Sequence, residues 1–326
     1  MSSNPHDFEW NDGVHLVGSV LWADGTRHDV LTFVSSARVR DAWRHLKAVC
    51  TDRTRALLRV SRADFQALVI PYGRRIQLGS LQLTPLPAGF MPGSAQLLIE
   101  TAGGTVLYAS NLVFENHPLA EPIQFARADT LVLKTAYGRP DFAFPARSDA
   151  KAHLREVARR CLASAATPVF LTSAIGKAQE VVRALTDGGI PVTVHRSIAR
   201  FNAAYRALGF DPGPARVFRG SPRHDSAVVF PEPLRTSPAI RRMRSARLFW
   251  VSGRAQARDA LERMRVEEGI PLAGHLDFNG LMRFVEIVRA SRVFTVGAWA
   301  EEFAQSLRKR GVEASALFRE TQLSLF

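Results

Sequence analysis

The chain has 326 residues, 46% of them apolar, enough for one large domain or two ordinary ones around a sizeable core. A net charge of +13, carried mostly by arginine, and a pI near 10.8 favour polyanionic partners, nucleic acid first among them. No run of about 18 apolar residues occurs, which excludes a helical membrane span, and the two cysteines, Cys50 and Cys161, are too few for a disulfide framework or a cysteine zinc site.

The opening MSSNPHDFEWNDG lacks the basic and apolar blocks of a secretion signal, so a cytoplasmic chain is expected. Short strand-like runs dominate the first third: 15–22, 30–35, 81–86, 96–101, 104–110 and 130–135, each bounded by Gly, Pro, Asp or Asn. The pattern changes near residue 148. SDAKAHLREVARRCLASA reads as an amphipathic helix with a serine N-cap. Strand-like 168–173 leads to a helix from Gly176, and 191–196 to a helix through Arg206. Strands at 226–231 and 247–253 follow, and the alternation predicts a parallel sheet. The segment 211–225 is the most loop-like, being rich in Pro, Gly and charge. A helix at 278–289, the strand RVFTVG and a helix at 299–310 close the pattern.

Several stretches, in order, resemble one family. PAGFMPGSAQLLIE is similar to its PAGH-x-LGSAQ loop, GGTVLYASN to the strand ending in S-G-D, and TLVLKTAYG to ESTYG. IGKAQEVVRAL resembles the GKAQ helix, LFWVSGRA the VSGW stretch, GHLDFNGLMRFV the HADW-x-GLL segment, and RVFTVGAWAEEFAQSLRKRG the closing strand and helix. The family is that of the metallo-β-lactamase nucleases with an inserted β-CASP domain, and within it the bacterial DNA-ligase-associated exonucleases. The resemblance implies an α/β fold: a metallo-β-lactamase αββα sandwich carrying an inserted parallel α/β domain. The corresponding boundaries are 1–160 with 262–316 for the sandwich, 161–261 for the insert, and 317–326 for a flexible tail.

The same resemblance implies lost chemistry. Active relatives hold two zinc ions with an HxHxDH motif and further histidines and acids. The matching stretch here is SARVRD, so that Ser36, Arg38, Arg40 and Asp41 stand at the motif's His, His, Asp and His. Phe90 replaces the PAGH histidine, Asn111 the S-G-D aspartate, Lys134 the ESTYG acid and Val296 a late histidine; His275 and Asp277 of an HxD segment remain. Phe90 has no lone pair, and Arg38, Arg40 and Lys134 bring positive charge to a cation's place. No metal, no cofactor and no catalysis are therefore expected. Two readings of the former pocket stand: a phosphate site, or a collapsed pocket filled by Phe90 and closed by ion pairs. His275 and Asp277 read either as a leftover proton-transfer pair or as a strand-end residue followed by an N-cap for the helix at Phe278.

Basic residues of the insert, Lys177, Arg241, Arg242, Arg244, Arg247 and Arg254, are candidates for phosphate contact, against the alternative of a solvated helix face. Lys177 and Gln179 of GKAQ sit where a helix N-terminus meets a phosphate or merely scaffolds. Finally, Gln322, Leu323, Ser324, Leu325 and Phe326 match the bacterial sliding-clamp binding motif: two apolar anchors seat in subsites while the glutamine satisfies polar groups at the pocket edge. The expectation is an inactive nuclease homologue serving DNA repair or replication at the nucleoid. It binds the DNA polymerase sliding clamp, and DNA or an active nuclease, ligase or helicase partner. A residual exonuclease using His275, Asp277 and Asp41, and a scaffold that touches no nucleic acid, are the alternatives.

Overall fold

The computed structural model describes residues 8–223, 225–243, 245–256 and 258–318. The chain forms two compact units, one from residues 1–142 and 275–326, the other from 143–274.

In the first unit, β1 (Phe8–Trp10), β2 (Val14–Leu16), β3 (Leu21–Ala23), β4 (Leu31–Phe33), β5 (Lys47–Cys50) and β6 (Leu68–Val69) make a six-stranded sheet in sequence order, with α1 (Asp52–Arg59) between β5 and β6. The run expected as one strand at 15–22 breaks into β2 and β3, because Gly18 takes a φ of 77° that only a turn uses. Next come β7 (Ile76–Leu78), β8 (Leu81–Pro87), β9 (Ala95–Thr101), β10 (Gly104–Ala109) and β11 (Thr130–Lys134).

The second unit begins with α2 (Arg147–Ala163). It continues through β12 (Thr167–Thr172), α3 (Lys177–Asp187), β13 (Val192–Val194), α4 (Arg196–Ala207), β14 (Arg216–Val217), β15 (Ala227–Pro231), α5 (Pro238–Arg241), β16 (Ala246–Val251), α6 (Arg258–Met264) and β17 (Glu268–Ile270). Its six strands pair in parallel in the order β14-β13-β15-β12-β16-β17. The central strands are near-continuous apolar runs because both faces are covered. Phe170, Val229 and Phe249 pack on one face with Leu154, Val157, Val181 and Ile198 of α2, α3 and α4. Val169, Val228 and Trp250 pack on the other with Ile240 and Ala260 of α5 and α6. Helix α2 starts one residue before Ser148, on Ala146, with no side-chain cap; the expected serine cap instead hydrogen-bonds Asp149. The unit is wider than the 161–261 span read from sequence, since α2 packs in its core and β17 pairs with β16.

The chain then returns to the first unit with α7 (Phe278–Val288), β18 (Arg292–Val296), α8 (Ala300–Arg308) and β19 (Glu313–Ala316). Strands β18 and β19 complete a seven-stranded sheet, β19-β18-β11-β10-β9-β8-β7, antiparallel from β7 to β10 and parallel from β10 to β19. The two sheets share one core: Phe33, Val49 and Leu21 meet Leu83, Leu97, Val106 and Val132. On the outer face of the seven-stranded sheet, Leu107, Leu131 and Leu133 pack against Phe284, Phe303 and Leu307 of α7 and α8. On the outer face of the six-stranded sheet, Cys50 packs with Leu58 of α1. Strict alternation along β10 and β11 sends successive residues to opposite cores.

Candidate nucleic-acid site at a sheet edge

Strands β10, β11 and β18 are parallel, so their C-terminal ends reach one edge of the seven-stranded sheet. The loop 88–94 joining β8 to β9 turns at the same edge, since Pro87 pairs with Ala95 and Leu97 with Tyr108. Ala95 N donates to Ser35 O over 2.7 Å, which brings the segment after β4 alongside. The topology thus gathers Phe90, Asn111, Lys134 and Val296 at one edge, with Ser36 beside it.

Each residue there has a defined local cause. Phe90 is buried at 5% exposure in a loop closed by Ser94, whose Oγ accepts from the backbone N of Phe90 and of Met91, both at 3.2 Å. Asn111 is buried just past β10 and its Nδ2 lies 3.3 Å from Nε2 of His275; the amide donates and the imidazole nitrogen accepts. Tyr137 meets the His275 ring edge-on at 6.0 Å. Lys134 ends β11 as the register partner of Val296, half-buried, with no side-chain hydrogen bond or ion pair among the described residues. Val296 is 2% exposed and part of the inter-sheet core. Ser36 is fully buried, and its hydroxyl has no hydrogen-bond partner among the described residues.

The remaining motif positions turn outward. Arg38 and Arg40 are exposed, and Asp41 takes a left-handed φ of 54° and lies 3.8 Å from Arg44. Asp277 caps α7, its Oδ1 accepting from Gly280 N at 2.8 Å. Among the described residues no three His, Cys, Asp or Glu side chains gather as a metal-binding group. A dinuclear hydrolytic centre needs several such donors converging. A benzyl ring, an isopropyl group and an ammonium at this edge do not fit one.

In the second unit, the GKAQE stretch is tied inward. Glu180, 6% exposed, accepts from Arg147 at 2.6 Å and pairs with Lys151 at 2.9 Å. Gln179 Nε2 donates to Ala174 O at 3.2 Å and to Asn202 Oδ1 at 2.9 Å. Lys177 is 7% exposed in the first turn of α3. Arg247 pairs with Glu267 at 2.6 Å, and this partner raises its guanidinium pKa. Arg241, Arg242 and Arg254 are exposed. Arg244 and the five residues Gln322 to Phe326 lie outside the described residues.

The sequence reading did not single out four residues that shape the edge. Asp24 accepts from Ser35 N at 2.8 Å, from Ser35 Oγ at 2.6 Å and from the buried Tyr108 hydroxyl at 2.9 Å, anchoring the segment that carries Ser36. Burial first, then the Asp24 charge, push the Tyr108 hydroxyl pKa well up, so it stays a donor. Trp299 and Arg139, from the loops after β18 and β11, stack with the guanidinium 4.5 Å from the ring centroid. Their separation in sequence leaves no local signal.

No family model matches the chain. It is 31% identical over 98% of its length to a probable DNA ligase of Opitutus terrae, covering 32% of that protein. It is 23% identical over 39% of its length to RNase aCSPSF2 of Saccharolobus solfataricus, covering 26% of it, and 30% identical over 33% to the transcription termination factor FttA of Methanococcus maripaludis, covering 18%. The chain spans about a third or less of the length of the curated relatives it matches. Among the described residues no helix is long and apolar enough to cross a membrane.

Proposed function

We propose that the chain is a β-CASP nuclease homologue without a catalytic centre, working as an accessory in DNA repair or replication. In this reading the first unit is a metallo-β-lactamase-type sandwich and the second a β-CASP-type insert. The observation that carries it is the side-chain set at the sheet edge: Phe90, Asn111, Lys134 and Val296 stand together where a dinuclear site needs imidazoles and carboxylates. Asp277 is engaged in a helix cap and Asp41 lies near Arg44, which speaks against a residual exonuclease built on them. The similar segment in a longer polypeptide named a probable DNA ligase supports a ligase as a partner. The five terminal residues seat in the bacterial sliding clamp, and the exposed Arg241, Arg242 and Arg254 meet phosphates. The protein then acts in the cytoplasm, at the nucleoid.

Two experiments test the reading. Purified protein is incubated with labelled single-stranded and duplex DNA in manganese or zinc; no cleavage above a metal-free control is expected, and metal-dependent degradation that co-purifies with the protein refutes inactivity. Immobilised sliding clamp is then offered the full chain and a version lacking residues 322–326. Capture of the first alone is expected; equal capture removes the clamp from the proposal.

A further inference from the structure

The first unit holds a half-buried lysine at the C-terminal end of a parallel strand. Lys134 lies at the C-terminal end of β11, inside the parallel part of the sheet, and makes no side-chain hydrogen bond or ion pair among the described residues. An ammonium that makes no ion pair is available to an anion's oxygen. Gly297, with a φ of 109°, lies alongside: a Cβ there would stand 3.7 Å from Lys134 Cγ, in ordinary van der Waals contact. Two residues further on, Trp299 is half-buried and precedes α8, whose first turn has no side-chain cap. Phe142 braces the indole at 5.9 Å, and the half-buried Arg139 lies over it at 4.5 Å. The loops carrying Arg139 and Trp299 are locked together: a Cβ on Gly138 would come within 2.9 Å of Trp299 O and of Phe303 Cβ. Asp141 also pairs with Arg139, so that guanidinium is partly neutralised and serves more as a flat surface than as the main charge.

We propose that this edge binds one unpaired nucleotide of a nucleic-acid strand, its phosphate on Lys134 and its base stacked on the Trp299–Arg139 pair, with no metal ion between protein and phosphate. An ammonium supplies a point charge for a phosphate oxygen. Indole and guanidinium planes are the surfaces on which unpaired bases stack. A base inside a duplex has no free face to offer, so a single strand is selected. The inference rests on the reading of the chain as a nucleic-acid-binding homologue, and assigns that binding to the former catalytic edge.

The test uses the full chain and a short fluorescent oligothymidylate, titrated in metal chelator over a series of salt concentrations, with a blunt duplex and an oligouridylate in parallel. The single strands, deoxyribose or ribose, are expected to bind more tightly than the duplex; a duplex held as tightly overturns the selection of an unpaired base. Lys134→Met keeps the apolar stem and should reduce the salt slope by about one unit. Trp299→Ala should weaken binding about 5- to 100-fold with the salt slope unchanged, and Trp299→Phe should restore most of it. If Trp299→Ala does not fold, Lys134→Met and Trp299→Phe decide. Binding by wild type with both variants unaffected overturns this inference and leaves the arginines of the second unit as the contact. No salt-dependent binding by wild type overturns the nucleic-acid reading itself.

Discussion

At the residue scale, single side chains at the sheet edge and its surroundings have environments that fix their chemistry. Cys50 is 1% exposed, and burial pushes its thiol up to about 12, outweighing the lowering from Arg55. Cys161 is also buried, and burial raises its thiol pKa too. Neither thiol should react with iodoacetamide at pH 8 in the native protein, and both should react in denaturing urea; rapid native labelling read by mass spectrometry contradicts this burial. Asp277 is legible from sequence as a cap because it precedes an apolar helical run, and the 2.8 Å bond to Gly280 N makes that role physical. Replacing Asp277 by Ala should lower stability by about 1 kcal/mol in urea unfolding, with no change in any nuclease assay. A larger loss of nucleic-acid affinity than of stability would give Asp277 a role beyond the cap.

At the element scale, the loop 88–94 sets what the edge can do. Gly93 has a φ of 81°, and a Cβ there would collide with Thr54 N and stand 2.8 Å from the Arg53 carbonyl carbon. Its carbonyl accepts from Thr51 Oγ1 at 2.6 Å and Thr54 Oγ1 at 2.8 Å, and its N donates to the Glu121 carboxylate at 3.1 Å. The loop is thereby clamped to α1, an element that the sequence reading passed over because eight residues give too short a periodic signal. Gly93→Ala should destabilise the protein by roughly 1–3 kcal/mol through left-handed strain and overpacking, measured as a shift of the urea midpoint. An unshifted midpoint would mean the loop is not held as described. The strands around it were easier to read, because β8 to β11 and β18 bury their residues with period two against two cores.

At the scale of the whole molecule, stability should depend on pH through histidines whose pKa desolvation lowers. His45 is 2% exposed in the first unit; burial first, then the charge of His28, hold its pKa below the usual 6.5, against backbone hydrogen bonds to Gly25 and Arg27 and the Asp24 charge. His195, in the second unit, is lowered by burial and Arg196. A lowered histidine stays neutral when folded while its unfolded form takes a proton, so stability is present above about 6.5 and is lost as the pH falls below it. Melting temperature should therefore drop between pH 7 and 5, and His45→Gln should flatten part of that drop. An identical pH profile for the variant would assign the effect elsewhere. The net charge of +13 acts at the same scale: it steers any polyanion to the surface without choosing where the anion is held.

The sequence by itself determined the alternation of strands and helices, the sheet-rich first unit, the parallel second unit, and which residue types stand at the motif positions. These are local properties, written in apolar period, turn residues and side-chain chemistry. Only the tertiary structure decided that the strand ends and loop carrying Phe90, Asn111, Lys134 and Val296 come to one edge, that Arg38 and Arg40 turn outward, and that Trp299 and Arg139 stack on each other. The physical reason is that β10, β11 and β18 come from distant parts of the chain, with the entire second unit between β11 and β18, and parallel pairing is what brings their ends into register.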